Sequence, residues 1–263
     1  MAPPLHDLTR YLLAAGGTTN PDGVDAHLLY VEDDSLRLKL WTGTRFRDEE
    51  TIAEDIRPGS TASYVVNGTI RTIVCISSVN VIRALKYHEE DEEWVEDESI
   101  PGHTVHPNGH ITAGVDAEQR LRVAFQGLTG RLVILDENWA ETALPADPII
   151  GTPLFTVLWK ASFEVCYVSK DRRIHMIANS SDKVMIDHAL TEHLKRMVIL
   201  PNQSGELGVL GLTEKDVILQ VVMEEGRGMS KQVGEVIDGK FQLMGEMMIT
   251  GNAFSLAFKI LNM

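Results

Sequence analysis

Self-similarity is the feature that most constrains what this chain can fold into. The stretch Leu121–Trp139, LRVAFQGLTGRLVILDENW, reads as a β-hairpin. Leu121–Gln126 alternates, Gly127–Gly130 supplies turn chemistry, and Arg131–Leu135 returns. Five other stretches echo it: HLLYVEDDSLRLKLW, IRTIVCISSVNVIRALKY, FEVCYVSKDRRIHMIAN, ELGVLGLTEKDVILQVVM and AFSLAFKIL. Aligned on the second residue of the Leu121-like run, they place Leu28, Arg71, Arg122, Glu164, Leu207 and Phe254 in register, at intervals of about 42 to 51 residues. A strand-filled period in the forties is that of propeller blades.

Each unit supports four strands. The second spans Thr61–Val66, Ile70–Ile76, Val81–Tyr87 and Trp94–Ser99. The third, fourth and fifth follow the same plan, to Ile237. The first starts at Thr9–Ala15 and continues through Ala26–Val31, Leu36–Trp41 and Phe46–Ala53. The sixth is short, with Gln242–Thr250 and Ala253–Leu261, and Ala2–Asp7 is placed to complete it as an outer strand. The expectation is one all-β domain over residues 1–263, a six-bladed β-propeller of four-stranded antiparallel blades with the last blade reduced. Five blades plus a hairpin is the rival count. Pro58-Gly59, Pro101-Gly102, Pro107-Asn108-Gly109 and Asp238-Gly239 punctuate the units, and no low-complexity linker divides them. Residues 187–197 have weak helical spacing, but the repeat puts a loop and a strand there.

Charge narrows the partners. Asp and Glu outnumber Lys and Arg by 38 to 24, giving a net charge of -14. Such a surface repels phosphate backbones and anionic lipid heads, so neither nucleic acid nor a membrane is expected as a partner. No apolar run reaches the roughly 18 residues of a spanning helix. The N-terminal stretch has no basic head before a hydrophobic core, so it does not read as a secretory signal. With only Cys75 and Cys166 present, a reduced cytoplasmic setting without a disulfide is the simpler expectation. The sequons at Asn67, Asn179 and Asn202 are then expected to stay unmodified. An exposed edge on the reduced sixth blade makes a homodimer possible.

No nucleophile elbow, P-loop, HExxH or CxxC pair occurs. Any chemistry must come from residues gathered across blades. His103, His106 and His110 crowd the loop PGHTVHPNGH, but their spacing in a Pro/Gly loop favours a polar loop or one proton-transfer histidine over a metal. No metal and no cofactor is expected. The acidic run Glu89–Glu98 reads as a solvated loop. Tyr64, Thr112, Trp159 and Glu246 fall on or beside innermost strands, with Met244, Met247 and Met248 on the last. They read as core packing or as the walls of a pocket for an apolar ligand. Arg71 and Arg122 sit among apolar, β-branched residues, either snorkelling to the surface or facing a ligand.

The run LRVAFQ…GRLVILDENW resembles the repeat of fungal fucose-specific lectins. Those are six-bladed propellers whose units run as an IRVYYQ-like strand, a hairpin, an LRE-like strand and a Trp. The resemblance covers about five units, from Leu28 to Ile237. It implies sugar pockets between blades, each built from an Arg, a Glu and an aromatic residue. Arg71 and Arg122 match the arginine, and Trp94 and Trp139 match the aromatic. The glutamate positions hold Leu38, Ala84, Ile134 and Met176. A sugar ring needs acceptors as well as donors, so this loss argues against intact fucose sites.

The eroded contacts, the apolar inner strands and the absence of a secretion signal also make the chain similar to the lectin-related fungal hetero-Diels–Alderases of tropolonic sesquiterpenoid pathways. That resemblance implies a cofactor-free enzyme acting on two apolar small molecules. A tropolone-type polyketide would become an o-quinone methide and add to a humulene-type terpene. In that reading Arg122 or Arg71 donates to the carbonyl, His110 or Tyr64 transfers the proton, and Trp159, Met247, Thr112 and Trp139 line the substrate pocket. The alternatives are a fucose-binding lectin, and a scaffold that binds a protein partner through its acidic rim.

Overall fold

A computed structural model describes residues 10–19, 25–159, 162–201, 207–224, 227–238 and 240–243. Among the described residues, 21 strands form five antiparallel sheets. Blade 1 holds β1 (Gly16–Thr19), β2 (Ala26–Glu32), β3 (Ser35–Trp41) and β4 (Phe46–Ala53). Blade 2 holds β5 (Ser63–Asn67), β6 (Ile70–Ile76), β7 (Ile82–His88) and β8 (Glu93–Glu96). Blade 3 holds β9 (Ile111–Val115), β10 (Leu121–Gln126), β11 (Leu132–Leu135) and β12 (Glu141–Ala143). Blade 4 holds β13 (Phe155–Trp159), β14 (Ser162–Val168), β15 (Ile174–Ala178) and β16 (Ser181–Ile186). Blade 5 holds β17 (Leu194–Pro201), β18 (Leu207–Thr213), β19 (Val217–Glu224), β20 (Arg227–Ile237) and β21 (Lys240–Leu243).

Within each of blades 1 to 4 the strands pair in sequence order, as hairpins joined by short turns. The innermost strands of blades 1 to 5 contact one another in turn, which sets the blades around an axis. Apolar side chains from facing sheets fill the gaps. Leu29, Leu36 and Leu38 meet Ile73, Cys75 and Leu85 between blades 1 and 2. Val74, Ile76 and Ile82 meet Ile111, Val123 and Phe125 between blades 2 and 3. The outer strands carry the charge: β4 is exposed along Phe46–Thr51, and β8 begins and ends on exposed Glu93 and Glu96. Charged outer edges discourage pairing with other chains.

Two expectations change. Residues 9–15 were expected to form a strand, but residues 10–13 form one helical turn, and β1 begins only at Gly16. Leu12, fully buried, packs on Val198, Leu210 and Leu212 of blade 5. Ala14 packs on Leu28 and Trp41 of blade 1. A strand would send alternate side chains to opposite faces; the turn lets adjacent residues bridge the two blades. Second, residues 240–243 do not open a sixth unit. They pair antiparallel with β20, Gly234 opposite Leu243, as the outermost strand of blade 5. Five blades is thus the count among the described residues. The remainder of the sixth unit, with Glu246, Met244, Met247 and Met248 and the edge invoked for a homodimer, lies outside them, as does Ala2–Asp7. Residues 187–193 hold no helix, and β17 begins at Leu194.

Among the described residues no helix is long and apolar enough to cross a membrane. Cys75 and Cys166 are free and buried. Burial pushes the Cys75 thiol up to about 12 and raises that of Cys166 as well. Both thiols are therefore expected to resist a thiol-specific reagent such as Ellman's in the native protein. Two equivalents should react in denaturant. Fast native labelling would contradict the packing described here.

Candidate functional site

Sheet registry decides which side chains face which cleft. Ile76 pairs with Ile82, and Gln126 pairs with Leu132. The turns that follow match: Ser77 N–H donates to Val81 O, and Gly127 N–H donates to Arg131 O. Counting back from these turns, Arg71 corresponds to Leu121, and Arg122 to Thr72. The two arginines are one residue out of register. Side chains alternate along a strand, so a shift of one reverses the face. Arg71 shares the face of Ile73 and Cys75 toward blade 1, whereas Arg122 lies opposite the Val123 and Phe125 face, toward blade 4. The sequence alignment had treated them as equivalent.

Arg122 is already saturated. Its Nε and Nη2 reach Asp116 Oδ2, each at 2.9 Å, and its Nη1 reaches Glu137 Oε2 at 2.8 Å. Burial pushes the Asp116 carboxyl up. The backbone N–H of Arg120 and the guanidinium groups of Arg122 and Arg120 outweigh that and hold it below its ordinary value. Trp139, matched to this arginine by sequence, lies on the other face of blade 3, packed toward blade 2 at a left-handed φ of 63°. Its carbonyl meets His103 Nε2 at 3.0 Å, while His103 Nδ1 meets Glu141 Oε1 at 2.7 Å. Arg122 and Trp139 do not meet.

The cleft between blades 1 and 2 is different. All four strands of blade 2 send a side chain into it: Tyr64 from β5, Arg71 from β6, Tyr87 from β7 and Trp94 from β8. Tyr87 pairs with Trp94, and Thr72 pairs with Lys86, which sets Arg71 beside Tyr87. The Arg71 guanidinium lies 5.0 Å from the Tyr87 ring centroid, a cation–π distance. Tyr64 and Tyr87 contact Trp94 at 5.5 and 5.3 Å between ring centroids. From blade 1, His27 meets Tyr64 edge-on at 5.7 Å.

Carboxylates return to this cleft from new places. Glu89, in the turn after β7, stands 3.3 Å from Arg71 Nη2. Glu50 on β4 pairs directly with Leu38, one strand outward from the position where the lectin glutamate would stand. Burial raises the Tyr64 hydroxyl; the Arg71 charge and hydrogen bond oppose this, and Glu50 reinforces it. Burial first, then Arg71, lowers the His27 imidazole, so it is neutral near pH 7. The Arg71 side chain is 42% exposed. Two ring nitrogens, His27 Nδ1 and Trp94 Nε1, are buried without a hydrogen-bond partner among the described residues. Buried polar atoms are normally paired, so such orphans mark a place where a polar ligand or water belongs. The sequence missed Glu50, Glu89, His27 and Tyr87, because only registry reveals which turn and outer-strand residues share a face.

On the axis, the innermost strands enclose a cavity of about 120 Å³. Ala15, Ala62, Val65, Ile111, Leu154 and Met197 contribute to its wall. Thr112 lines it and bonds Thr156 through their hydroxyls at 3.1 Å. His110 immediately precedes β9, and Arg196 Nη1, from a residue that lines the cavity, approaches its Nδ1 at 3.3 Å. Burial, then Arg196 and Arg57, depress the imidazole to about 3. Trp159 ends β13 and packs against the apolar core between blades 4 and 5. The structure thus places Tyr64 and Arg71 together, and leaves Arg122, His110 and Trp159 in three other places. Met247 lies outside the described residues. Among those described, no cluster of three or more His, Cys, Asp or Glu side chains forms a metal site.

These features define a β-propeller with unequal clefts, and comparison with solved structures agrees on the fold. Its structural neighbours are fungal fucose-specific lectins. One is AofleA from Arthrobotrys oligospora, at a TM-score of 0.64 and 14% identity over 88% of this chain and 79% of that one. Another is an N-to-Q mutant of the Aleuria aurantia lectin in complex with Fucα1-6GlcNAc, at 0.63 and 13%, covering 83% and 77%. A further structure of the Aleuria lectin, described as a six-bladed β-propeller with a novel fucose recognition mode, matches at 0.56 and 15%, covering 82% and 74%. Likeness at this identity is likeness of fold. No protein-family model matches the sequence, and no curated protein matches it either.

Proposed function

We propose that this chain is a carbohydrate-binding propeller with one working cleft, between blades 1 and 2, that takes a neutral deoxy sugar of the fucose type. The observation that carries this reading is the convergence of an exposed cation, two carboxylates and three aromatic rings around two unpaired ring nitrogens. Sugar recognition uses these parts. Arg71 donates to ring hydroxyls, Glu50 and Glu89 accept from them, and Tyr87 and Trp94 offer apolar faces to C–H groups and a methyl. The neighbouring lectins, crystallised with fucosides or described by their fucose recognition, support the choice of sugar.

Calorimetric titration with methyl α-L-fucoside tests the reading. Binding should show one site per chain and fall about 100-fold in Arg71→Ala, the loss of a charge-assisted pair worth about 3 kcal/mol. Trp94→Phe, which keeps a smaller aromatic face and removes the N–H, should cost about tenfold. No binding by the wild-type chain, to this sugar or to any glycan on an array, would refute it.

A second reading, the hetero-Diels–Alderase, draws on the axial cavity with its small apolar lining residues. Incubating the protein with a quinone-methide precursor and humulene tests it. An enantioenriched adduct would support it, and a racemic product at the background rate would end it.

A further inference from the structure

Two guanidinium groups, one of them lining the axial cavity, carry charge that no described residue neutralises. Arg196, on β17 of blade 5, reaches across the axis. Its Nη2 donates to Gly59 O at 2.7 Å and Ser60 O at 3.0 Å, and its Nη1 donates to Lys195 O at 3.2 Å. Arg57, from the segment joining blades 1 and 2, donates to Asn80 Oδ1 at 2.9 Å, to His106 O at 3.0 Å and to Gly109 O. Every one of these acceptors is a neutral carbonyl. Among the described residues neither guanidinium forms an ion pair, and no carboxylate contributes to the charge balance of either.

That arrangement is expensive. A largely buried guanidinium normally finds a counter-charge. This chain has 38 acidic residues, yet none of those described stands here. Burial, then the neighbouring Arg57 charge, lower Arg196 to about 10. Two further groups point to a missing partner. Ser60 Oγ is buried with no hydrogen-bond partner among the described residues, on a side chain only 2% exposed. His110 accepts at Nδ1 from Arg196, which leaves its proton on Nε2 as a donor. Arg196 itself lines the cavity, and Ala62, Ile111, Leu154 and Met197 stand behind it as apolar wall.

We propose that the cluster of Arg57, Ser60 and His110 around Arg196, beside the axial cavity, is a binding site for a small organic monocarboxylate whose apolar body occupies that cavity. The bonds to carbonyls and to His110 take up the four Nη N–H groups of Arg196 and three of the four of Arg57; both Nε–H groups and one Arg57 Nη2–H remain as charged donors for a carboxylate, on side chains fixed before the ligand arrives, which lowers the cost of binding. The cavity, about 120 Å³ and walled largely by apolar side chains, suits a short aliphatic chain or a single small ring. The site is separate from the sugar cleft and does not depend on it.

The test is a calorimetric titration of the full chain at constant ionic strength with butanoate and with benzoate. Butanamide, benzamide and inorganic phosphate serve as controls. At least one carboxylate should bind at one site per chain, and its matched amide at least tenfold more weakly. Arg57→Gln should weaken the carboxylate at least tenfold while leaving the β-sheet circular dichroism unchanged. If that variant does not fold, Ser60→Ala, which removes only the hydroxyl, should weaken binding about threefold. No binding of either acid, equal binding of acid and amide, or phosphate binding as tightly as the acids would overturn the proposal. Unchanged affinity in both variants would do the same.

Discussion

Gly16→Ala is expected to lower the thermal unfolding midpoint by about 10 °C, the effect of about 3 kcal/mol in a chain of this size. The reason is the contact between blades 1 and 2 near the axis. Ala62 N–H donates to Ala15 O at 2.9 Å, which draws the start of β1 against the segment leading into β5. A Cβ on Gly16 would fall 1.8 Å from Ala62 O and 2.8 Å from Ala62 C. Both are backbone atoms, so no side-chain rotation relieves the clash. Gly17 is also confined, since a Cβ added there would fall 2.5 Å from His27 O, which leaves β1 no room to slide. Scanning calorimetry of Gly16→Ala, with Gly59→Ala as control, checks this. The Gly59 position has open space around it, and its cost is that of a left-handed φ of 67° alone. A midpoint change in Gly16→Ala no larger than in the control would contradict the close approach.

Arg122→Ala is expected to destabilise the fold by about 2 kcal/mol while leaving fucoside affinity within a factor of two. Asp116, only 6% exposed, would keep Arg120 and two backbone N–H donors but lose its two bonds from Arg122. The effect depends on pH with a definite sign. Asp116 titrates below its ordinary value in the folded chain. Its contribution to stability is present above the unfolded value of about 3.9 and is lost as pH falls through the lower folded value. The gap between wild type and Arg122→Ala should therefore be widest near pH 6 and narrow toward pH 3. Urea unfolding across that range measures it. A constant gap would mean that Arg122 acts through packing alone.

The blade plan was legible because hairpins announce themselves locally. Ile70–Ile76, Leu121–Gln126 and Phe46–Ala53 fall where alternation and turn residues put them. Two parts of the plan were not legible. Residues 10–13 carry the same apolar residues as a strand, and only the gap between blades 5 and 1 makes a helical turn the better filler. The faces of Arg71 and Arg122 were not legible either. Both sit second in a middle strand, but the strands differ in length before equivalent turns: Ile70–Ile76 has seven residues and Leu121–Gln126 has six. Alignment from the strand start therefore slips by one residue, and only the turn after the strand fixes the register. Glu50 and Glu89 were hidden for another reason: they reach the cleft from an outer strand and a turn rather than from the lectin position.

The account turns on a single claim: one cleft, between blades 1 and 2, took over ligand binding while the others eroded. Crystals of the chain soaked with methyl α-L-fucoside address it most directly. The account predicts sugar density in one place, against Arg71, Tyr87 and Trp94, with its hydroxyls toward Glu50 or Glu89. Density beside Arg122 between blades 3 and 4, or repeated in several clefts, would contradict it.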